Sequence, residues 1–556
     1  MELAEERAAR VLDSDVQVMA HGTFWQGITT VFFKFVSFVF TVMIARIVAQ
    51  DEVGVFYFAL GIAGMVSVFA DLGFINSLSR YIPYYLGKKD VKSARMVALL
   101  SLFFNTVLPL AFSGLLLLFT GSIAAFFGNP QLAAVLPYMA AYIFISQLFS
   151  IISQMLTSIK KVKQSSIASN VQNTSKLIIT VALLYFMKPD AQTLALASIL
   201  SFAVATVYVA FEAKKFSKIL HTREKIALPD YGPLFREMLP FGLTMILVLL
   251  ITTVVGYMDR IMLGYYLQEA ANSQIAIYTI ATGLAGIVAI FAGAVTNIFF
   301  PLISEMHGAN DNKRMNAASG TALRWIAFSS VPLAAFFIAF SGPLLRLLYG
   351  ALYEPGALVL SLFAAGIFFS LLGTVQRTAL AGMRMLRQEI IVAGCATLLN
   401  LALNVLLIPP YGINGAAFAS AVSLTSTAFL YQRYAGRLMG FPFPQSILKN
   451  ILAGMVVLLL LWLLQASAYQ AIASLPLPSV SGSVLSIVLD KILKLAALMV
   501  FFAIGLAAYV MLLNLMKLFE KEDADVLRKM MEKSRLPAWL PKMAIRAIFW
   551  NHKEFN

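Results

Sequence analysis

The chain has 556 residues, of which 60% are hydrophobic and only 12% are charged. Soluble domains carry about 25% charged residues, so this composition excludes a soluble globular protein and indicates a polytopic membrane protein. The net charge of +15 alone would suit a nucleic-acid-binding protein, but apolar runs recur along the whole chain, and we expect no nucleic-acid partner. The single cysteine, Cys395, excludes a disulfide within the chain. The four histidines show no ligand spacing, so neither a metal nor a cofactor is predicted.

Apolar runs long enough to cross a hydrocarbon core of about 30 Å predict fourteen helical spans joined by short connections. Their approximate boundaries are 24–48, 54–82, 96–120, 132–159, 165–187, 191–212, 238–267, 274–304, 315–340, 357–382, 389–409, 413–434, 447–470 and 490–516. The first run begins near Phe24 and is expected to act as an uncleaved signal anchor. The predicted fold class is therefore an all-α polytopic membrane protein.

The distribution of Lys and Arg predicts the orientation. If the N-terminus is cytoplasmic, the six inward connections hold twenty Lys or Arg residues and the seven outward connections hold five. Cytoplasmic loops carry the positive excess, so both termini are predicted to lie in the cytoplasm and the chain to span the cytoplasmic membrane. In the tail, residues 537–553 contain tryptophans among basic residues. This composition predicts a short helix lying at the inner membrane surface.

An internal repeat relates the two halves of the chain. With an offset of 222 residues, VGVFYFALGIAGMVSVFA (53–70) aligns with IAIYTIATGLAGIVAIFA (275–292). The identical pairs are Ala59/Ala281, Gly61/Gly283, Ala63/Ala285, Gly64/Gly286, Val66/Val288, Phe69/Phe291 and Ala70/Ala292. The copies are six spans apart, so both run in the same direction. Parallel repeats of this kind predict two six-helix lobes with a site between them near the middle of the membrane.

The repeat predicts five segments along the chain. They are a cytoplasmic N-terminal segment at 1–20, an N-lobe of spans 1–6 at 21–237, a C-lobe of spans 7–12 at 238–436, two extra spans at 437–516, and a cytoplasmic tail with the interfacial helix at 517–556. Rocking of one lobe against the other would give alternating access.

Two lysines lie deep inside predicted spans. Lys34 is about ten residues, or roughly 15 Å, from the inner end of span 1, and Lys176 lies eleven residues into span 5. Neither side chain reaches water by snorkelling alone. Asp71 in span 2 lies at a depth similar to that of Lys34. Two interpretations stay open: a buried Lys34–Asp71 ion pair, or a cationic patch in the N-lobe cavity that meets an anionic group.

Asp259 and Arg260 lie side by side near the outer end of span 7. Adjacent helical positions point about 100° apart, so the two side chains cannot face the same neighbour. One is expected to contact another helix and the other to face the cavity. Arg260 is therefore either a ligand for an anionic substrate or part of a helix-pairing contact with Asp259. We find no paired carboxylates, no nucleophile with a base and no phosphate loop, so an enzyme is not predicted.

Five segments resemble a known family. ARIVAQDEVGVFYFA (45–59), DLGFINSLSRYIP (71–83), DRIMLGYYL (259–267), IAIYTIA (275–281) and IFFPLISEMHGANDNKRM (298–315) look like the polysaccharide biosynthesis, or oligosaccharide flippase, branch of the MOP (multidrug/oligosaccharidyl-lipid/polysaccharide) exporter superfamily. That superfamily also includes multidrug and toxin extruders and lipid II flippases. The resemblance covers spans 1–12 and extends to the count of fourteen spans.

The resemblance implies a flippase that moves a polyprenyl-phosphate- or polyprenyl-diphosphate-linked oligosaccharide across the bilayer for cell-surface polysaccharide or glycan assembly. Lys34, Lys176 and Arg260 would then contact the lipid phosphates, since cations at depth suit an anion. Asp71 or Asp259 could couple transport to H⁺ or Na⁺, or the membrane potential could act on the head group directly. Glycan polymerases or ligases are left open as partners.

Three other functions are weighed against this one. A multidrug or small-molecule cation-coupled antiporter of the same fold would resemble a twelve-span chain with carboxylates at depth, whereas this chain has mostly cations there. A membrane enzyme of glycan assembly would be expected to carry a large polar outward loop, and the longest outward connections, 341–356 and 471–489, are small and poor in titratable groups. A non-transporting membrane component of glycan assembly stays open.

Overall fold

The computed structural model describes residues 29–216, 219, 226–309, 311–383, 385–441, 445–473 and 484–518. In this part of the chain the regular elements are helical and no strand is present. The predicted segment 1–20 and the predicted interfacial helix of the tail lie outside the described residues. The α-helices are α1 Thr29–Ile47, α2 Gln50–Asp71, α3 Phe74–Gly87, α4 Val91–Leu118, α5 Thr120–Phe126, α6 Gln131–Ser158, α7 Val162–Phe186, α8 Ala191–Phe216, α9 Tyr231–Leu267, α10 Ala271–Ala285, α11 Ile290–Gly308, α12 Asn312–Ala339, α13 Ser341–Leu348, α14 Ala357–Leu372, α15 Thr374–Gly382, α16 Leu386–Met439, α17 Gln445–Ala473 and α18 Val484–Leu515.

Twelve helical segments among the described residues are long and apolar enough to cross a membrane. This confirms the predicted fold class, while the count of fourteen spans stays a prediction. The predicted fifth span is helix α7, which is not among the twelve and carries Lys176 with Asn170 and Asn173. The predicted eleventh and twelfth spans both lie in α16, which has a kink at Gly412, where φ is 55° and ψ is −131°.

The predicted second span, 54–82, is not one continuous helix. Helix α2 ends at Asp71 and α3 begins at Phe74, with Leu72 and Gly73 between them at φ values of 47° and 73°. A Cβ atom on Gly73 would lie 2.4 Å from the carbonyl oxygen of Gly242 on α9. Glycine is therefore required at this break both by the left-handed backbone and by the close approach of α9.

The described helices form two compact units. Unit 1 comprises Met1–Thr279 with Leu401–Ala416, and unit 2 comprises Ile280–Asn400 with Ala417–Asn556, in each case for the residues that the structure describes. Unit 1 thus contains α1 to α9, most of α10 and a central piece of α16. In this unit α6 packs against α4 and α8, and α2 packs against α6 and α9.

The amphipathic sequence of α3 positions this helix in unit 1. Its buried face carries Phe74, Leu78 and Ile82, which pack in one cluster with residues of α4, α6 and α9. The opposite face, with Arg80 and Tyr84, is exposed. The apolar positions recur every three to four residues, as expected for a helix that buries one face.

Unit 2 relies on small residues for close helix packing. A Cβ atom on Gly366 would lie 2.6 Å from the Cα atom of Ala421 on α16. Seven residues later, a Cβ atom on Gly373 would lie 2.6 Å from the Cα atom of Ala428 on the same helix. Small residues let membrane helices approach closely, because packing rather than hydrophobic burial drives helix association in lipid. Helix α12 packs against α14 and α17 in the same unit.

The packing groups α9 with the first unit, whereas the repeat predicts that the C-lobe begins at 238. Tyr85 of α3 donates a hydrogen bond to Glu237 Oε2 (2.9 Å), and Lys92 of α4 lies 3.0 Å from Asp230 Oδ2, just before α9. Near the C-terminal end of α9, Gly264 packs on the ring of Phe58 of α2. The predicted lobe boundaries and the predicted parallel lobes stay predictions.

Candidate functional site

A cavity of about 330 Å³ lies within unit 1. Helices α2, α3, α6, α8 and α9 line it, with side chains that combine aromatic rings, hydroxyl groups, one amide and one carboxylate. The lining residues are Leu60, Gly64, Ser67, Val68, Asp71, Ile75, Tyr142, Ser146, Gln147, Ser150, Phe202, Leu249, Thr253 and Tyr257. No Lys, Arg or His is among these lining residues, so the cavity wall itself carries no cation.

Asp71 lies in the cavity wall at the end of α2, with only 5% of its surface exposed. Its Oδ1 accepts a hydrogen bond from the backbone N–H of Ile75 (3.0 Å). The carboxylate thus caps the first turn of α3, where unpaired N–H groups and the helix dipole favour a negative charge. The structure forms no Lys34–Asp71 ion pair: Lys34 is exposed on α1, so that interpretation is wrong.

The structure separates Asp259 and Arg260. Asp259 is 5% exposed and accepts hydrogen bonds from the Tyr278 hydroxyl and, at 2.7 Å, from Asn404 Nδ2. Arg260 turns instead toward α2, where it packs over Gly61. The expectation that adjacent residues would address different neighbours matches this geometry, whereas a pairing of Arg260 with Asp259 does not.

Two tyrosine rings flank the guanidinium of Arg260. Its Cζ lies 6.0 Å from the ring centroid of Tyr57 and 5.5 Å from that of Tyr257. Its Nε is buried and has no hydrogen-bond partner. Tyr257 also lines the cavity and packs on Gly64. Arg260 therefore lies directly behind a cavity-wall residue and is stabilised by ring faces.

Lys176 of α7 lies in a similar environment, against aromatic rings of α1 and α2. Its Nζ is 4.2 Å from the ring centroid of Phe40 on α1 and 5.7 Å from that of Phe56 on α2. Phe56 precedes Tyr57, and their ring centroids are 5.2 Å apart. Consecutive aromatic residues of α2 therefore contact the two cations, which brings Lys176 and Arg260 together around α2. Lys34 is not part of this arrangement.

Sequence reasoning missed the partners of these charges. Asn404 carried a signal, because Asn400 and Asn404 are four residues apart and place two amides on one face of an apolar helix. Tyr57 and Tyr257 carried none, because aromatic residues in apolar runs are usually ordinary packing residues. Only the fold shows that their rings flank Arg260.

Comparison with protein families decides the classification. Residues 19–307 match the family model of the polysaccharide biosynthesis proteins, and residues 244–406 match the MatE model. The chain belongs to the polysaccharide biosynthesis protein family. With this membership, the predicted polysaccharide/oligosaccharide branch of the MOP exporter superfamily is confirmed.

Two archaeal relatives are similar to this member of the polysaccharide biosynthesis family. An uncharacterized membrane protein of Methanocaldococcus jannaschii is 23% identical over 403 residues, which cover 69% of this chain and 77% of the relative. A probable low-salt glycan biosynthesis flippase of Haloferax volcanii, Agl15, is 24% identical over 194 residues, or 34% of this chain and 40% of the relative.

Solved structures show the same fold for this family member. Lipid II flippase MurJ in an inward closed conformation aligns with a TM-score of 0.62 at 17% identity, covering 86% of this chain and 97% of MurJ. An inward-facing multidrug resistance transporter of the MATE family aligns with a TM-score of 0.60 at 14% identity, covering 73% and 94% of the two chains. At these identities the likeness concerns the fold, which is that of a multi-pass membrane protein.

Proposed function

We propose that this protein is a flippase that moves a polyprenyl-phosphate- or polyprenyl-diphosphate-linked oligosaccharide across the cytoplasmic membrane by alternating access. The product would serve cell-surface polysaccharide or glycan assembly. The protein would act as a transporter and catalyse no covalent change in its substrate.

The observation that carries the proposal is the pairing of Lys176 and Arg260 with aromatic rings. Among the described residues, neither cation forms an ion pair with a carboxylate. Lys176 lies on α7 and Arg260 on α9, in two segments that the sequence predicts to span the membrane. Intramembrane charges usually mark a substrate path or a pairing site. Ring faces stabilise a cation without neutralising it, so both groups keep a positive charge that an anionic phosphate can complement.

The cavity beside Arg260 supports a sugar head group. Six of its lining side chains carry hydroxyls, namely Ser67, Tyr142, Ser146, Ser150, Thr253 and Tyr257. Hydroxyls both donate and accept hydrogen bonds, and a few such groups among apolar walls are the usual composition of a small-molecule pocket. A neutral sugar beside a phosphate-binding cation fits this combination.

The relatives support the same substrate class. The Haloferax volcanii protein is named a probable glycan biosynthesis flippase, and MurJ is named a lipid II flippase. The cytoplasmic location of both termini, and glycan polymerases or ligases as partners, belong to this proposal. Reporter fusions at each terminus, with activity only in the cytoplasm, are the expected result for the orientation.

Flipping by the Lys176→Gln/Arg260→Gln variant tests the cationic patch that these two ring-flanked residues form. Proteoliposomes with a fluorescent polyprenyl-diphosphate glycan should show no flipping by this variant while it remains folded in the membrane. Lys188→Gln is the matched control, because Lys188 is exposed outside the candidate spans and should leave flipping unchanged. Full transport by the double variant would overturn the role of the patch.

Native mass spectrometry of the protein in mild detergent tests the substrate class itself. A bound polyprenyl-linked glycan would support the proposal and identify the sugar. Binding of small cationic compounds, with no bound glycan lipid, would favour the cation-coupled antiporter, a function for which the MatE match gives a specific reason. A folded protein that binds neither and transports neither would favour the non-transporting component.

A further inference from the structure

Arg80 is another cation of unit 1 that packs against aromatic rings. Its guanidinium carbon lies 4.6 Å from the ring centroid of Phe241 on α9 and 5.3 Å from that of Tyr81 on α3. The side chain is exposed, and it forms no ion pair within the described part of the chain. Ring faces attract a cation without removing its charge, so Arg80 has the same kind of environment as Lys176 and Arg260.

Arg80 lies just beyond one end of the unit 1 cavity. On α3 the cavity wall includes Ile75, and Ser79 follows one helical turn later. On α6 the wall includes Ser150, and Gln154 follows one turn later. The Gln154 amide donates a hydrogen bond to the Ser79 hydroxyl, so these two positions lie at the same level next to the cavity. The Arg80 rim of the cavity consists of Ser79, Arg80, Gln154 and Phe241.

Arg260 and Lys176 lie at the opposite end of the same cavity. Tyr257, which lines this end, flanks Arg260. Phe241 of the rim and Arg260 are nineteen residues apart on α9, which corresponds to about 28 Å at 1.5 Å per residue. This separation is close to the hydrocarbon thickness of about 30 Å. One phosphate group therefore cannot contact the cations at both ends at the same time.

The Arg80 rim offers hydrogen-bond donors to an anion, and none of its four residues is acidic. The guanidinium of Arg80 is a planar set of N–H donors that matches two phosphate oxygens. The Ser79 hydroxyl accepts from Gln154 and keeps its own proton to donate. The carboxylate of Glu237, one turn before Phe241 on α9, instead accepts a hydrogen bond from the Tyr85 hydroxyl (2.9 Å). The rim is therefore suited to a phosphate group.

An arginine near the end of a membrane helix can also act only as an anchor that extends to the membrane surface. Lys88 illustrates that arrangement, because it is exposed just after α3 and its Nζ lies over the ring of Tyr84, 4.3 Å from the centroid. Arg80 instead packs against α9, and the adjacent Ser79 contacts α6. Both helices line the cavity, so these contacts favour a role at the cavity.

We propose that the Arg80 rim is a loading site for the phosphate group of the lipid-linked substrate. From there the phosphate would pass along the cavity to Arg260 and Lys176. The connection after α3 is one of the predicted cytoplasmic connections, so the rim would meet the phosphate at the leaflet from which the glycan is taken up. The loading site rests on the proposed flippase function and adds to it the order of the phosphate contacts.

Initial flipping rates at increasing substrate density test the loading site. In proteoliposomes with a fluorescent polyprenyl-diphosphate glycan, Arg80→Gln should raise the half-saturating substrate density by about tenfold, the effect of losing one charge-assisted hydrogen bond. The maximal rate should stay within about twofold of the wild type, because at saturation the loading step no longer limits transport. Arg80→Lys keeps the charge and should recover most of the uptake at low density.

Lys88→Gln is the matched control, because it removes the same charge from an exposed position eight residues later. Its half-saturating density should equal that of the wild type. The same value in Arg80→Gln would overturn the loading site and leave the flippase function intact. A lower maximal rate at an unchanged half-saturating density would also overturn it, since Arg80 would then act in the conformational change. If the wild type does not flip the probe, the proposed function fails and the loading site fails with it.

Discussion

The guanidinium of Arg260 on α9 faces the ring of Tyr57 on α2, with 6.0 Å between the guanidinium carbon and the ring centroid. The neighbouring Asp259 points elsewhere, to Tyr278 and Asn404. The two adjacent charges of opposite sign therefore contact two different sets of neighbours. The arginine remains a cation without a described carboxylate partner, next to the cavity.

Replacing Arg260 should weaken phosphate binding. A hydrogen bond to a charged group contributes about 1.5–3 kcal/mol, so Arg260→Gln should lower the affinity for a polyprenyl diphosphate probe by about 10- to 100-fold. Titration by native mass spectrometry measures the change. Tyr57→Phe keeps the ring face and is the control, with affinity expected within about threefold of the wild type. An unchanged affinity in Arg260→Gln would show that its role is in helix packing.

The single lysine variants should differ in their effects. Lys176 lies against Phe40 and Phe56 inside unit 1, whereas Lys34 is exposed on α1. We therefore expect Lys176→Gln alone to abolish most flipping in proteoliposomes and Lys34→Gln to retain most of it. The reverse order would place the phosphate site on α1 instead of beside α2.

The helix break at Gly73 should tolerate no side chain. Alanine there adopts the left-handed conformation at a cost of about 1–2 kcal/mol and places Cβ 2.4 Å from the carbonyl oxygen of Gly242. Overpacking adds about 1–3 kcal/mol, so Gly73→Ala should lower the free energy of unfolding by about 3 kcal/mol.

Gly87→Ala is the matched control for this prediction. A Cβ at Gly87, on the same helix α3, meets nothing within 4 Å, so its stability should equal or slightly exceed that of the wild type. Denaturant titration in detergent measures both variants. Equal stability of Gly73→Ala and Gly87→Ala would contradict the close approach of α9.

Asp230 should make the stability of the folded protein depend on pH in the acid range. A hydrogen bond from the Ala227 N–H, together with Lys92 at 3.0 Å, holds the pKa of Asp230 below its ordinary value. A carboxyl with a lowered folded pKa stabilises the protein above its unfolded pKa of about 3.9 and loses this effect as the pH falls through the folded pKa.

The unfolding temperature measured from pH 7 to pH 3 tests this linkage. Asp230→Asn should lower it at pH 7 and should reduce the difference between pH 7 and pH 3. The curves of the wild type and the variant should approach each other toward pH 3, as the pH falls below the unfolded pKa of about 3.9 toward the lower folded pKa of Asp230. Parallel curves over the whole range would contradict a contribution from this carboxylate.

The sequence by itself determined the class, the helices and the family. Apolar length decides which segments can cross a membrane, because hydrocarbon offers no partner for an exposed backbone. Where the structure describes the predicted spans, they are helical over most of their length. The sequence motifs within residues 45–83 and 259–315 identified the superfamily branch. The family match over residues 19–307 confirms it.

Only the tertiary structure decided how the buried charges are partnered. Depth along a span follows from residue counting, but the helix facing a given side chain depends on packing between segments far apart in the chain. This is why the depth match between Lys34 and Asp71 predicted a pair that does not form, while Asp71 caps α3 at a break hidden within an apolar run. The rings around Lys176 and Arg260 come from three helices, which are brought together by helix packing that no local pattern encodes.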